Sequence, residues 1–192
     1  GAFIIRSNGL AGTASATVGL NVPGVTLGGT FTVRINDTAA AVNETVNVGG
    51  SNIALSLPAG PYVRVRGTGV TLGFLGASMT GNFSFEQKTS QCGSRRITVT
   101  ADTVSFNFGT SLVSATNGSG FFVINDAGIA GKGSITVSVN AFGGISHTFN
   151  WAFNTTGSAV NEVFGNPTFL DLPGGPYNTL DSGPTPIAIN IP

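Results

Sequence analysis

Ala14-Ser15-Ala16-Thr17-Val18-Gly19-Leu20-Asn21-Val22 puts an apolar side chain at every second position and a small or polar one between. Successive side chains of a strand leave the backbone on opposite sides, so this period of two marks a strand with one face turned from water. Further on, Phe31, Val33 and Ile35 alternate with Thr32, Arg34 and Asn36, and Val63 and Val65 alternate with Arg64 and Arg66. The same beat runs through Ile53-Leu57, Val70-Phe74, Phe83-Phe85, Ile97-Ala101, Val104-Phe108, Ile135-Val139 and Phe149-Phe153. Between the runs lie pairs such as Asn8-Gly9, Pro23-Gly24, Asn36-Asp37, Gly49-Gly50 and Asn117-Gly118, which supply turn geometry. No segment has a 3.6-residue period, and 29 Gly and 9 Pro leave little room for a helix of ordinary length. The spacing predicts about a dozen antiparallel strands joined mostly as hairpins. The fold class is all-β, either a β-sandwich or an elongated meander or solenoid that buries Phe and Val between layers.

The chain also repeats itself. Ala41-Val42-Asn43-Glu44 returns as Ala159-Val160-Asn161-Glu162, and Leu57-Pro58-Ala59-Gly60-Pro61-Tyr62 returns as Leu172-Pro173-Gly174-Gly175-Pro176-Tyr177. Gly9-Leu10-Ala11-Gly12 matches Gly128-Ile129-Ala130-Gly131, and Thr30-Phe31 matches Thr148-Phe149. The offset is 119 residues from Gly9 to Gly128 and 115 from Leu57 to Leu172, a drift that small deletions in loops would leave. The reading is one β-rich module over residues 1–119 and a partial second module over 120–192 with a proline-rich tail. Gly1 aligns with Gly120, so the chain is expected to open in mid-module, as a processed or excised piece of something longer. Pro167, Pro173, Pro176, Pro184, Pro186 and Pro192 crowd the end. Proline cannot donate to a sheet ladder, so residues 159–192 are expected to be extended, edge-like or partner-dependent.

Composition narrows the function classes. Hydrophobic residues make up 41% and charged residues 8%, against a usual charged share of about 25%. Thr, Ser and Asn must therefore supply the polar cover. Eight Lys and Arg balance eight Asp and Glu, so no basic stripe exists to neutralise a phosphate backbone, and nucleic acid is not an expected partner. A nearly uncharged surface also lacks the usual defence against self-association. No apolar run approaches the roughly 18 residues of a membrane helix, and Gly1-Ala2-Phe3-Ile4-Ile5-Arg6 does not have the form of a signal peptide. Cys92 is the single cysteine, which excludes an intrachain disulfide and leaves an exposed thiol in a polar loop, inert or bridging to another chain.

The run Leu10 to Val25, with Val42-Asn43-Glu44-Thr45-Val46 and Leu57-Pro58-Ala59-Gly60-Pro61-Tyr62-Val63-Arg64-Val65, resembles tandem modules of very large bacterial surface proteins of the adhesin-like or haemolysin type. The resemblance covers most of residues 1–165 and its motifs are structural. It implies an exported, extracellular or cell-surface location, β-rich modules and a scaffold or adhesion role. It brings no functional residue with it. The second copy departs from the pattern after Glu162.

Chemistry is sparse. His147 is the only histidine, and with Cys92 it makes too few ligands for a zinc site. Its counterpart in the first copy falls near Gly28-Gly29, so it reads as a polar residue at a strand edge rather than a catalytic base. The eight acids do not cluster; only Glu44 and Glu162 are repeat-equivalent, and they read as carboxylates accepting hydrogen bonds from the backbone or from Asn43 and Asn161. No cofactor is expected. Calcium at Asp37 or Asp126 is the one metal left open, although both the EF-hand loop and the glycine-rich nonapeptide are missing. Asn-x-Ser/Thr at Asn36, Asn43, Asn82, Asn117 and Asn154 is what an Asn- and Thr-rich chain contains by chance. The candidate ligand or assembly contacts are Tyr62, Trp151, Tyr177 and Cys92. The expected function is non-enzymatic: a structural subunit of a surface protein, adhesin or fibre pairing strands with copies of itself or with neighbouring modules. The alternative is an adhesion module binding a cell-surface glycan or an apolar ligand.

Overall fold

The computed structural model describes residues 1–22, 25–74, 76–89, 95–140, 144–163 and 169–183. They form fourteen strands: β1 (Ala2–Arg6), β2 (Gly9–Val22), β3 (Val25–Asn36), β4 (Val42–Val48), β5 (Ser51–Leu57), β6 (Tyr62–Phe74), β7 (Ala77–Thr89), β8 (Arg95–Asn107), β9 (Val113–Asn125), β10 (Gly128–Val139), β11 (Ile145–Asn154), β12 (Val160–Val163), β13 (Phe169–Leu172) and β14 (Tyr177–Asp181). Ten of them make one antiparallel sheet in the order β1-β2-β3-β6-β7-β8-β9-β10-β11-β14. Neighbours in space are neighbours in sequence except where a two-stranded hairpin, β4-β5 or β12-β13, leaves the sheet and returns. Position 119/120, where the second module was expected to start, lies inside β9, and the sheet runs unbroken through it.

Residues paired across an antiparallel ladder point to the same face. Following the register gives a row Ala14, Val33, Val65, Phe85, Val99, Phe122, Gly131, Phe153. A second row on this face is Ala16, Phe31, Gly67, Phe83, Ala101, Gly120, Gly133, Trp151, Leu180. On the other face the rows are polar: Thr32, Arg66, Ser84, Thr100, and next to it Arg34, Arg64, Glu86, Thr98. The alternation read from the sequence therefore sorts the sheet into an apolar face and a polar one.

The two buried clusters do not lie on the apolar face, where the only buried hydrophobic residues described are Val70, Val104 and Ala115. Hairpin β4-β5 folds over the polar face, where Val42, Leu55 and Leu57 close on Ala2, Ala11 and Tyr62. Hairpin β12-β13 does the same at the far side, with Val160, Leu170 and Leu172 on Val123 and Ala130. Both covers sit where the polar face carries small or apolar residues, which lets the hairpin approach closely. Phe and Val buried between layers is thus corrected: Val33 and Phe85, in mid-sheet, are 41% and 51% exposed because no second layer lies over them among the described residues. After Ala159 the described residues are extended strands, as expected, but β12-β13 is covered rather than edge-like, and residues 164–168 and 184–192 lie outside the described residues. Leu170 is fully buried and β12-β13 forms a core of its own, while β14 is an edge strand as expected.

One device recurs under both hairpins. Asn36 and Asn154, each fully buried, end β3 and β11. The Asn36 side-chain amide donates to the carbonyls of Ala40 (2.8 Å) and Pro58 (2.6 Å), and its oxygen accepts from the Thr38 N–H (2.9 Å) and hydroxyl (2.7 Å). Asn154 donates to Ser158 (2.9 Å) and Pro173 (2.8 Å) and accepts from the Thr156 N–H (2.8 Å) and hydroxyl (2.7 Å). Each asparagine thus ties the start of its hairpin to the end, and every polar atom of the side chain is used.

Candidate functional site

The sequence candidates do not converge. Tyr62 lies at the start of β6 with its ring in the core under β4-β5 and only 3% exposed, so it is not presented to a partner. Its phenol donates to Glu86 Oε2 at 3.3 Å. Burial, and then the Glu86 carboxylate, push that phenol above its ordinary value near 10. Tyr177, its repeat counterpart, packs against the second core at the start of β14. Trp151 is on the opposite, apolar face, stacked between Phe122 at 5.2 Å and Phe153 at 6.0 Å. Cys92 lies outside the described residues.

The polar face has a charged groove between the hairpin covers. Arg64, Ser84, Glu86, Lys88, Arg96 and Thr98, with Val163 at the rim, enclose about 360 Å³. Arg64 Nε donates to Ser84 Oγ at 3.0 Å and lies 3.9 Å from Glu86 Oε2, and Lys88 pairs with the other Glu86 oxygen. Arg96 pairs with Glu162 of β12. Glu44 of β4 is held in the same manner by Arg6 of β1. The two repeat-equivalent glutamates therefore clamp their hairpins to the sheet through arginines, which replaces the expected bonds to the backbone or to Asn43 and Asn161. No charged residue was singled out as a hairpin clamp from sequence, since Arg6 and Arg96 are far from their partners along the chain.

His147 packs edge-on against Phe149 at 5.3 Å, and its Nε2 meets the carbonyl oxygen of Ser182 beyond β14. That contact fastens the end of the edge strand. Among the described residues no three His, Cys, Asp or Glu side chains come together to hold a metal. Asn36 and Asn154 are buried and fully bonded, so neither of these two glycosylation motifs presents its amide to solvent.

Two large features remain; the sequence led us to expect unpaired strand edges but not an uncovered apolar face. The first is the apolar face itself. Arg6, Arg34, Arg64, Arg66, Glu86, Lys88, Arg96, Asp102, Lys132 and Asp181 all pair in register with the polar face, whereas Arg95, the first residue of β8, pairs with Thr89 at one end of the apolar face. The second is the pair of open edges. Among the described residues nothing pairs with the outer side of β1 or of β14, and these edges carry Ile5 and Leu180 at 84% and 73% exposure. Comparison with protein-family models, with curated proteins and with solved structures finds no match for this chain.

Proposed function

We infer that this chain is a structural module of an extracellular bacterial surface protein, adhesin or fibre, and that it joins its neighbours by β-strand pairing. The observation that carries the reading is that, among the described residues, both edges of a ten-stranded antiparallel sheet are unpaired. With an even number of strands, the first and last run in opposite directions, so β1 of one copy meets β14 of the next as an antiparallel pair. That contact is heterologous and repeats without closing, which gives a filament. Both edge strands are short, five residues each, and carry one charge at the end, Arg6 or Asp181, but no proline or lysine lies in Ala2–Arg6 or Tyr177–Asp181 to block pairing along the rest of the strand. The bond-for-bond match of Asn36 with Asn154 supports an origin by duplication, with each unit being a stretch of sheet and its own hairpin cover. Such a unit extends by adding strands at its edges.

Electron microscopy of the purified chain tests the pairing. Filaments are expected from the wild type. Backbone N–H groups alternate in direction along a strand, so of Thr179→Pro and Leu180→Pro one removes an outward donor of β14, and that variant is expected to lose the filaments while keeping its circular dichroism. Filaments that survive both substitutions would rule strand pairing out. The second reading, a glycan-binding adhesion module, has the Arg64-Glu86-Lys88-Arg96 groove in its favour. Three basic groups against two carboxylates, Glu86 and Glu162, leave one positive charge in excess to meet an acidic sugar, and a glycan array probed with wild type and Arg64→Ala separates the two readings.

A further inference from the structure

We propose that the apolar face of the ten-stranded sheet is an interface with a second copy of this chain, packed sheet on sheet. This contact uses a different surface from the strand edges and does not depend on them.

Four observations carry it. The exposed area of the chain is 11383 Å², about a third more than the ~8,500 Å² expected of a compact monomer of this mass. Half of that excess, hidden on each of two copies, reaches the obligate-interface range of roughly 2,000 Å² or more. The face is also far broader than the apolar patches of ordinary monomers, since strands at about 4.8 Å spacing and 3.3 Å per residue give it an area on the order of 1,500 Å². Its chemistry fits itself, because apart from Arg95 at the very start of β8 the register places no Asp, Glu, Lys or Arg on this face, and its body meets its own copy without repulsion. Its relief fits as well. Aromatic rings lie down over glycines of the next strand, and a Cβ on Gly12, Gly131 or Gly133 would strike Phe3, Phe122 or Trp151. That leaves a level surface from which Val33 and Phe85 stand out, the form in which two sheets interdigitate at about 10 Å.

A lipid bilayer is the competing cover and suits the sheet less well. The open edges would leave backbone N–H and C=O groups in hydrocarbon, and only closed barrels avoid this. Arg34, Arg64, Arg66 and Glu86 occupy the reverse side of the same strands, within one strand's thickness.

Light scattering decides between the two. The edge-blocked proline variant is expected to have twice the mass of 19.3 kDa, and adding Val33→Lys with Phe85→Lys is expected to halve it to a folded monomer. Both positions are exposed in the single chain, so lysine there leaves its core intact. An edge-blocked chain that is already monomeric, or a lysine variant that stays dimeric, overturns the proposal. So does a monomer that floats with phosphatidylcholine vesicles, which would assign the face to lipid. If the proline variant does not fold, acrylamide quenching of Trp151, the only tryptophan, reads the face in the wild type. Quenching should fall as concentration rises, and Val33→Lys with Phe85→Lys should abolish that dependence; constant quenching overturns the proposal. Filament loss without dimer loss, or the converse, shows which of the two contacts has failed.

Discussion

A methyl group on residue 60 would lie 2.0 Å from the Asn36 carbonyl oxygen, and one on residue 175 would lie 2.1 Å from that of Asn154. Backbone cannot yield that much, so Gly60→Ala and Gly175→Ala are each expected to lose about 3 kcal/mol in urea unfolding. Gly19→Ala, with nothing within 4 Å, should be neutral or slightly stabilising. Asn36→Ala strands the buried Thr38 N–H and the Pro58 carbonyl, and should likewise cost about 3 kcal/mol. Tyr62 adds a pH signature. Its folded value is raised by burial and by Glu86, so the neutral phenol contributes stability that is fully present below about pH 10 and lost as pH rises through the folded value. Tyr62→Phe should flatten that alkaline loss in melts across pH 8 to 12. The glycine and the tyrosine of Pro-x-Gly-Pro-Tyr were legible in the sequence as parts of a repeated motif. The asparagine was not, because Asn36-Asp37-Thr38 and Asn154-Thr155-Thr156 read equally well as chance glycosylation motifs until their burial is known.

Each hairpin cover rests on a few apolar side chains and one ion pair, and these differ in weight. Leu57 is 2% exposed, and Leu57→Ala should cost about 3 kcal/mol through lost burial and a residual cavity. Glu44, clamped to Arg6 in solvent, should lose under ~1 kcal/mol on change to Gln, since exposed pairs gain little over hydration. Proteolysis would show the difference, with β4-β5 cut early in Leu57→Ala and protected in Glu44→Gln. Strands and their faces were readable here because alternation is local: Phe31-Thr32-Val33-Arg34-Ile35 states its two sides outright. The side that would be covered was not readable. It depends on Ala2, Ala11, Val123 and Ala130 forming small-residue platforms on an otherwise polar face, and that pattern appears only once the register sets those residues beside one another.

At the scale of the whole molecule, nothing among the described residues pairs with the two edges of the sheet or lies as a second layer over its apolar face. The near absence of charge follows from that arrangement. Among the described residues, charges sit on the polar face and in the hairpin clamps, apart from Arg95 at the end of the apolar face. Composition leads to the expectation of self-association but not to a geometry for it, because equal numbers of acids and bases can be spread or segregated with the same net charge of zero.

The claim that copies assemble through these surfaces is tested most directly by the light-scattering mass of the unmodified chain over a dilution series in detergent-free buffer. The account predicts a mass many times 19.3 kDa that falls on dilution toward a pair. A mass of 19.3 kDa at every concentration, with the chain folded, would contradict it.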